Sequence, residues 1–96
     1  MSWSDNERLL SDNGYNPSKE DSYRFEKELK DCETTLCIFT KNNKMDVHFH
    51  YNCDYNCCAK LFYSGDFSID KVKRIEFSFL ISHYIKKVDN LIEEYT

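Results

Sequence analysis

A chain of 96 residues has room for one folded domain around one modest core and excludes a two-domain arrangement. Apolar residues at 41% and aromatics at 16% exclude a disordered chain in spite of 31% charge, and a net charge of −4 argues against a nucleic-acid binder. Nine acids oppose five bases in residues 1–36, whereas residues 37–96 hold eight of each, so the whole excess lies in the first third.

The opening stretch, MSWSDNERLLSDNG, has acids within seven residues and no apolar run, which reads as neither signal peptide nor membrane anchor. A cytoplasmic location is expected, with no membrane partner. Five cysteines, an odd number, then point to reduced thiols rather than a disulfide framework. A short amphipathic piece around Trp3, Leu9 and Leu10 gives way to SDNGYNPS, where Gly14 and Pro17 break the chain.

A helix is expected from Ser18. Ser18 and Asp21 have capping-box spacing, KEDSYRFEKELKD is rich in helix formers, and Phe25, Leu29 and Cys32 make a thin apolar stripe. The following residues, ETTLCIFTKNNKMDVHFHYN, read as a hairpin turning at Asn42-Asn43, since Asn tolerates positive φ. Pairing Lys41 with Lys44 sets Ile38 opposite Val47, Leu36 opposite Phe49 and Thr34 opposite Tyr51 on an apolar face. The other face then carries Cys37 against His48, Thr35 against His50 and Phe39 against Asp46. A third strand, CCAKLFYS, follows a turn at Asp54-Tyr55-Asn56. Cys53 is expected opposite Cys57, Tyr51 opposite Ala59, Phe49 opposite Leu61 and Val47 opposite Tyr63.

The last third is a long helix, with Ser68 as N-cap and Asp70 in its first turn. Phe77, Leu80, Ile81, Tyr84, Val88, Leu91 and Tyr95 keep helical spacing, and Ile69, Val72, Ile75 and Phe79 occupy a different sector. Residues 75–79, IEFSF, also alternate as a strand would. The expected fold is α+β, one domain over 1–96: a three-stranded antiparallel meander flanked by an N-terminal helical region and a long C-terminal helix.

Two histidines and three cysteines in HFHYNCDYNCC raise the question of a metal. The spacing matches no trusted zinc knuckle, and Cys53 and Cys57 point to the core face, so no metal or other cofactor is expected. A three-ligand site, if one existed, would be Cys37, His48 and His50. Cys37, His48 and Asp46 could be cast as a thiol nucleophile with base and orienting acid, but Asp46 lies two residues from His48 on the same face, with no oxyanion site beside it. No catalytic residues are assigned and no enzyme is expected.

The sheet face bearing Cys37, Phe39, His48 and Phe62 is too apolar to be left wet without reason, so either the first helix covers it, with the last helix on the other face, or a partner does. With the acids of the first third it suggests a protein-binding surface made of Glu20, Asp21, Glu26, Glu28, Asp31, Phe39 and Phe62, directed at a protein with a basic surface. Residues with AT-rich codons (Asn, Lys, Ile, Tyr, Phe) total 38, and those with GC-rich codons (Gly, Ala, Arg, Pro) total 7, which fits a low-GC bacterium or its phage. In general design, though in no motif, such a chain resembles phage-encoded inhibitors of host nucleic-acid or defence enzymes, anti-CRISPR proteins among them. The alternatives are a homo-oligomeric structural or regulatory protein, a homodimer burying Phe39 and Phe62, and a small zinc- or thiol-based sensor on the His/Cys face.

Overall fold

The computed structural model describes residues 3–19, 23–51 and 59–95. Helix α1 (Asp5–Asp12) starts from a capping box in which the Ser4 hydroxyl accepts the Glu7 N–H and the Glu7 carboxylate accepts the Ser4 N–H. It stops at Asn13 and Gly14, where φ of +90° suits a residue without a side chain. Strands β1 (Asn16–Pro17), β2 (Arg24–Leu29), β3 (Thr34–Lys41), β4 (Lys44–Tyr51) and β5 (Lys60–Asp66) follow, with a 3-10 turn at Lys30–Cys32, and α2 (Ile69–Tyr95) ends the fold. The sheet is antiparallel throughout, its strands lying in chain order. The class is α+β, as the pattern requires, with five strands where the sequence reading counted three.

The hairpin β3–β4 has the register its apolar face dictates. Lys41 pairs with Lys44, Ile38 with Val47, Leu36 with Phe49 and Thr34 with Tyr51, around Asn42 and Asn43 at φ of 54° and 60°. The expected helix from Ser18 is instead β2 and the 3-10 turn. Phe25, Lys27 and Leu29 alternate inward and meet Ile38, Leu36 and Thr34. The alternation was hidden because its middle residue is a lysine. Lys27 is tolerated there because its Nζ donates to Glu76 of α2 at 3.2 Å and to the Asn13 carbonyl at 3.0 Å, above the Tyr15 ring.

Along β4–β5 the register starts as expected, with Val47 opposite Tyr63, and then slips, so that His48 faces Leu61 and Phe49 faces Lys60. Phe62 is the extra residue of this bulge. The expected pair Phe49–Leu61 is therefore replaced and the ladder ends at Phe49–Lys60, short of the expected Tyr51–Ala59 pair, while the turn at 54–56 and the Cys53–Cys57 pair lie outside the described residues.

Both helices pack on one face of the sheet. Leu10 of α1 and Val72 and Ile75 of α2 join Tyr15, Phe25, Leu36, Ile38, Met45 and Val47 in a single buried cluster. Trp3 meets Phe25 edge-on, Phe79 meets Phe49, and Lys71 caps the Tyr63 ring, all on that face. The Ser68 hydroxyl accepts the Lys71 N–H at 3.2 Å, as an N-cap should, and residues 75–79 are helical. Among the described residues no helix is long and apolar enough to cross a membrane.

Candidate functional site

Among the described residues no helix covers the second face of the sheet, and much of the candidate chemistry lies there. The Arg24 guanidinium donates to Cys37 Sγ at 3.3 Å, forms an ion pair with Glu26 at 3.3 Å, and lies 5.9 Å from the centre of the Phe39 ring. Phe39 in turn meets His48 edge-on at 5.4 Å. These neighbours bury Cys37 almost completely, and burial pushes its thiol up from the ordinary range, opposed in part by Arg24. A buried, protonated thiol is a poor metal ligand and a poor nucleophile, and here burial outweighs the opposite pull of Arg24.

Cys37 and His48 are cross-strand partners and His50 lies two residues further on β4, opposite Thr35. They do not converge: among the described residues no group of three His, Cys, Asp or Glu side chains is arranged to hold a metal. Asp46 accepts the Ser64 hydroxyl and faces Phe39 across the ladder, so it does not orient His48 for thiol chemistry.

The sequence-derived partner residues are split rather than gathered. Glu26 and Glu28 share the uncovered face, with Glu26 already engaged by Arg24. Asp31, in the 3-10 turn, accepts the Tyr84 hydroxyl of α2 at 3.2 Å and belongs to the helical side. That carboxylate pushes the Tyr84 phenol up. Phe39 stays on the uncovered face. Phe62 does not, because the bulge turns its ring to the helical side, 6.0 Å from Phe49 and 5.3 Å from Phe79. The expected patch combining Phe39 with Phe62 is thus absent, and Glu20 and Asp21 lie outside the described residues.

A larger apolar surface lies on α2. Of the two apolar sectors of this helix, the shorter one is the core: Val72 and Ile75 are buried, with Ile69 and Phe79 packed beside them. The longer sector is turned outward. Phe77 is 63% exposed, and Ile81, Tyr84, Ile85, Val88, Leu91 and Ile92 each leave 40–56% of their surface open. Two residues of helix are about 200° of rotation, so Phe77 must face away from the sheet when Ile75 faces it.

Phe77, Ile81, Tyr84, Val88 and Leu91 have the alternating four- and three-residue spacing of a coiled-coil seam, widened by Ile85 and Ile92. This spacing was legible in the sequence. What the sequence withheld was that this sector, and not the other, is the exposed one, with the Tyr84 hydroxyl reaching back to Asp31. The helix is roughly 40 Å long, and the molecule reaches 56 Å along its longest axis. Its radius of gyration of 15.2 Å exceeds the roughly 12.5 Å of a compact domain of this length.

Charge is ordered along the same helix. Exposed Lys73 and Arg74 lie at the start of the outward stripe, and exposed Glu93 and Glu94 at its end. Comparison with protein-family models, curated proteins and solved structures finds no match to this chain.

Proposed function

We propose that this protein works by binding another protein chain, with the outward stripe of α2 as its docking surface. The observation that carries this reading is the run of seven apolar side chains from Phe77 to Ile92, each 40–63% exposed and all on one side of one helix. Scattered exposed apolar residues need no explanation, but a continuous stripe over more than four turns marks a surface that is covered in use. Stability adds to this, since a helix segment with no buried face is marginal in water and gains its order from packing.

The test is affinity capture with the purified chain, comparing wild type with a Val88→Asp/Leu91→Asp variant whose unchanged circular dichroism shows an intact fold. Bound protein that is lost with the variant is the expected result. Equal recovery by both chains removes α2 as the docking surface.

A second mode of binding is favoured by the uncovered sheet face, where Glu26 and Glu28 lie in one row beside Phe39. A basic groove that serves phosphate would accept such a row, which is the physical form of inhibition of a nucleic-acid-binding enzyme. Reversal of both acids, Glu26→Lys with Glu28→Lys, should weaken such a complex and flatten its salt dependence. Unaltered affinity would eliminate this mode.

A further inference from the structure

We infer that the occupant of the α2 stripe is a second copy of this chain, with the two α2 helices packed antiparallel about a two-fold axis near residues 82 and 83. This rests on the reading of the stripe as a docking surface and adds the partner and its orientation. The stripe's spacing alternates between three and four residues, which suits pairing with another helix rather than with a sheet.

Charge selects the orientation. Lys73 and Arg74 flank one end of the stripe and Glu94 the other, all exposed. Antiparallel pairing brings the basic end of each helix beside the acidic end of its partner, and opposes the two helix dipoles. Parallel pairing would set like charge against like.

A two-fold near residues 82 and 83 is the placement that pairs the stripe from Phe77 to Val88 with itself, sets Leu91 beside Arg74 of the second copy, and also joins the charged ends. It layers Phe77 on Val88 of the second copy and Ile81 on its Tyr84, while Lys73 of each copy meets Glu94 of the other. The same pairs recur on both sides of the axis, as a self-complementary interface requires. The area is sufficient. Six or seven half-open side chains at roughly 100 Å² apiece give on the order of 700 Å² per copy, or about 1,400 Å² in the pair, within the range of stable specific interfaces. The stripe faces away from the sheet, so α2 can take this partner without unpacking Val72 or Ile75 from the core.

The test is sedimentation of the full chain over a concentration series, at low and high salt. The expected species is a dimer, twice the 11.5 kDa of the chain. Val88→Asp should raise its dissociation constant at least ~30-fold while leaving circular dichroism unchanged, because it sets a charge in the apolar seam. Lys73→Glu and Glu94→Lys should each weaken the dimer, and the double exchange Lys73→Glu/Glu94→Lys should recover it, since the swapped charges meet again across the axis. A dimer weakened by both single changes and not recovered by the double one overturns the antiparallel arrangement. A dimer indifferent to Val88→Asp overturns the stripe as its interface. A wild-type chain that stays monomeric at ~0.5 mM, far above the micromolar range of ordinary specific association, overturns the second copy as occupant. If that monomer still captures a different protein through Val88 and Leu91, the docking surface stands and only this inference falls.

Discussion

The two halves of α2 are similarly apolar in sequence and differ in what they do. Residues 69–79 bury Val72 and Ile75 against the sheet and tie Lys27 to the helix through Glu76, whereas residues 80–95 contribute no buried side chain among those described. Apolar content therefore does not define a core. Position relative to a second surface does, and the sheet supplies one only along the first half.

The sharpest way to break this comparison is to cut the same side chain in each half. Ile75→Ala should cost about 2–5 kcal/mol in urea unfolding, from lost burial and the cavity left behind. Ile85→Ala, ten residues on, should stay within ~0.5 kcal/mol when measured at a concentration where the chain is monomeric. Similar losses at both positions would mean that the distal half is packed within one chain.

Next in size is the ion pair that holds the proximal half to β2. Lys27→Met leaves Glu76 mostly buried without its cation and should destabilise by about 1–3 kcal/mol, with much of that recovered in Lys27→Met/Glu76→Leu. No recovery in the double variant would show that the charges act independently. Tyr15 sharpens the point. Its hydroxyl is buried beside Glu76, and burial followed by that carboxylate pushes the phenol far above its usual range. Tyr15 should therefore show no phenolate absorbance at alkaline pH until the protein unfolds.

The smallest expected effect lies at the β4–β5 edge, where Lys44 and Asp66 form a fully exposed pair. Lys44 holds the Asp66 carboxyl below the usual carboxylate range. A lowered acid stabilises the fold above its unfolded pKa, and the contribution is lost as pH falls through the folded value. The small difference in Tm between wild type and Asp66→Asn should therefore be present at neutral pH and fade below about pH 4. A difference that persists at pH 2 would assign it to something other than this pair.

The β3–β4 hairpin was legible because two local signals agree: Asn42-Asn43 suits positive φ, and alternation on both sides fixes one register. α2 was legible from Ser68 onward for similar reasons. β2 was not, since strong helix formers and a lysine at the centre of its inward row outweighed the alternation of Phe25 and Leu29. The neutralising partner of that lysine, Glu76, stands 49 residues away. Nor was the bulge at Phe62 legible. One unpaired residue carries no compositional mark, yet it moves a ring from one face of the sheet to the other and removes half of the expected aromatic patch.

The sequence by itself determined the α+β class, the hairpin register, the N-cap of the last helix and the presence of two apolar sectors along it, and left residues 75–79 open between helix and strand. Those follow from contacts between near neighbours and from the periods of helix and strand. Tertiary structure alone decided that residues 24–29 form a strand, that both helices share one face of the sheet, and that the longer stripe of α2 faces outward. Each of these depends on a partner far along the chain, and a local pattern records only that a residue seeks burial, never which surface will provide it.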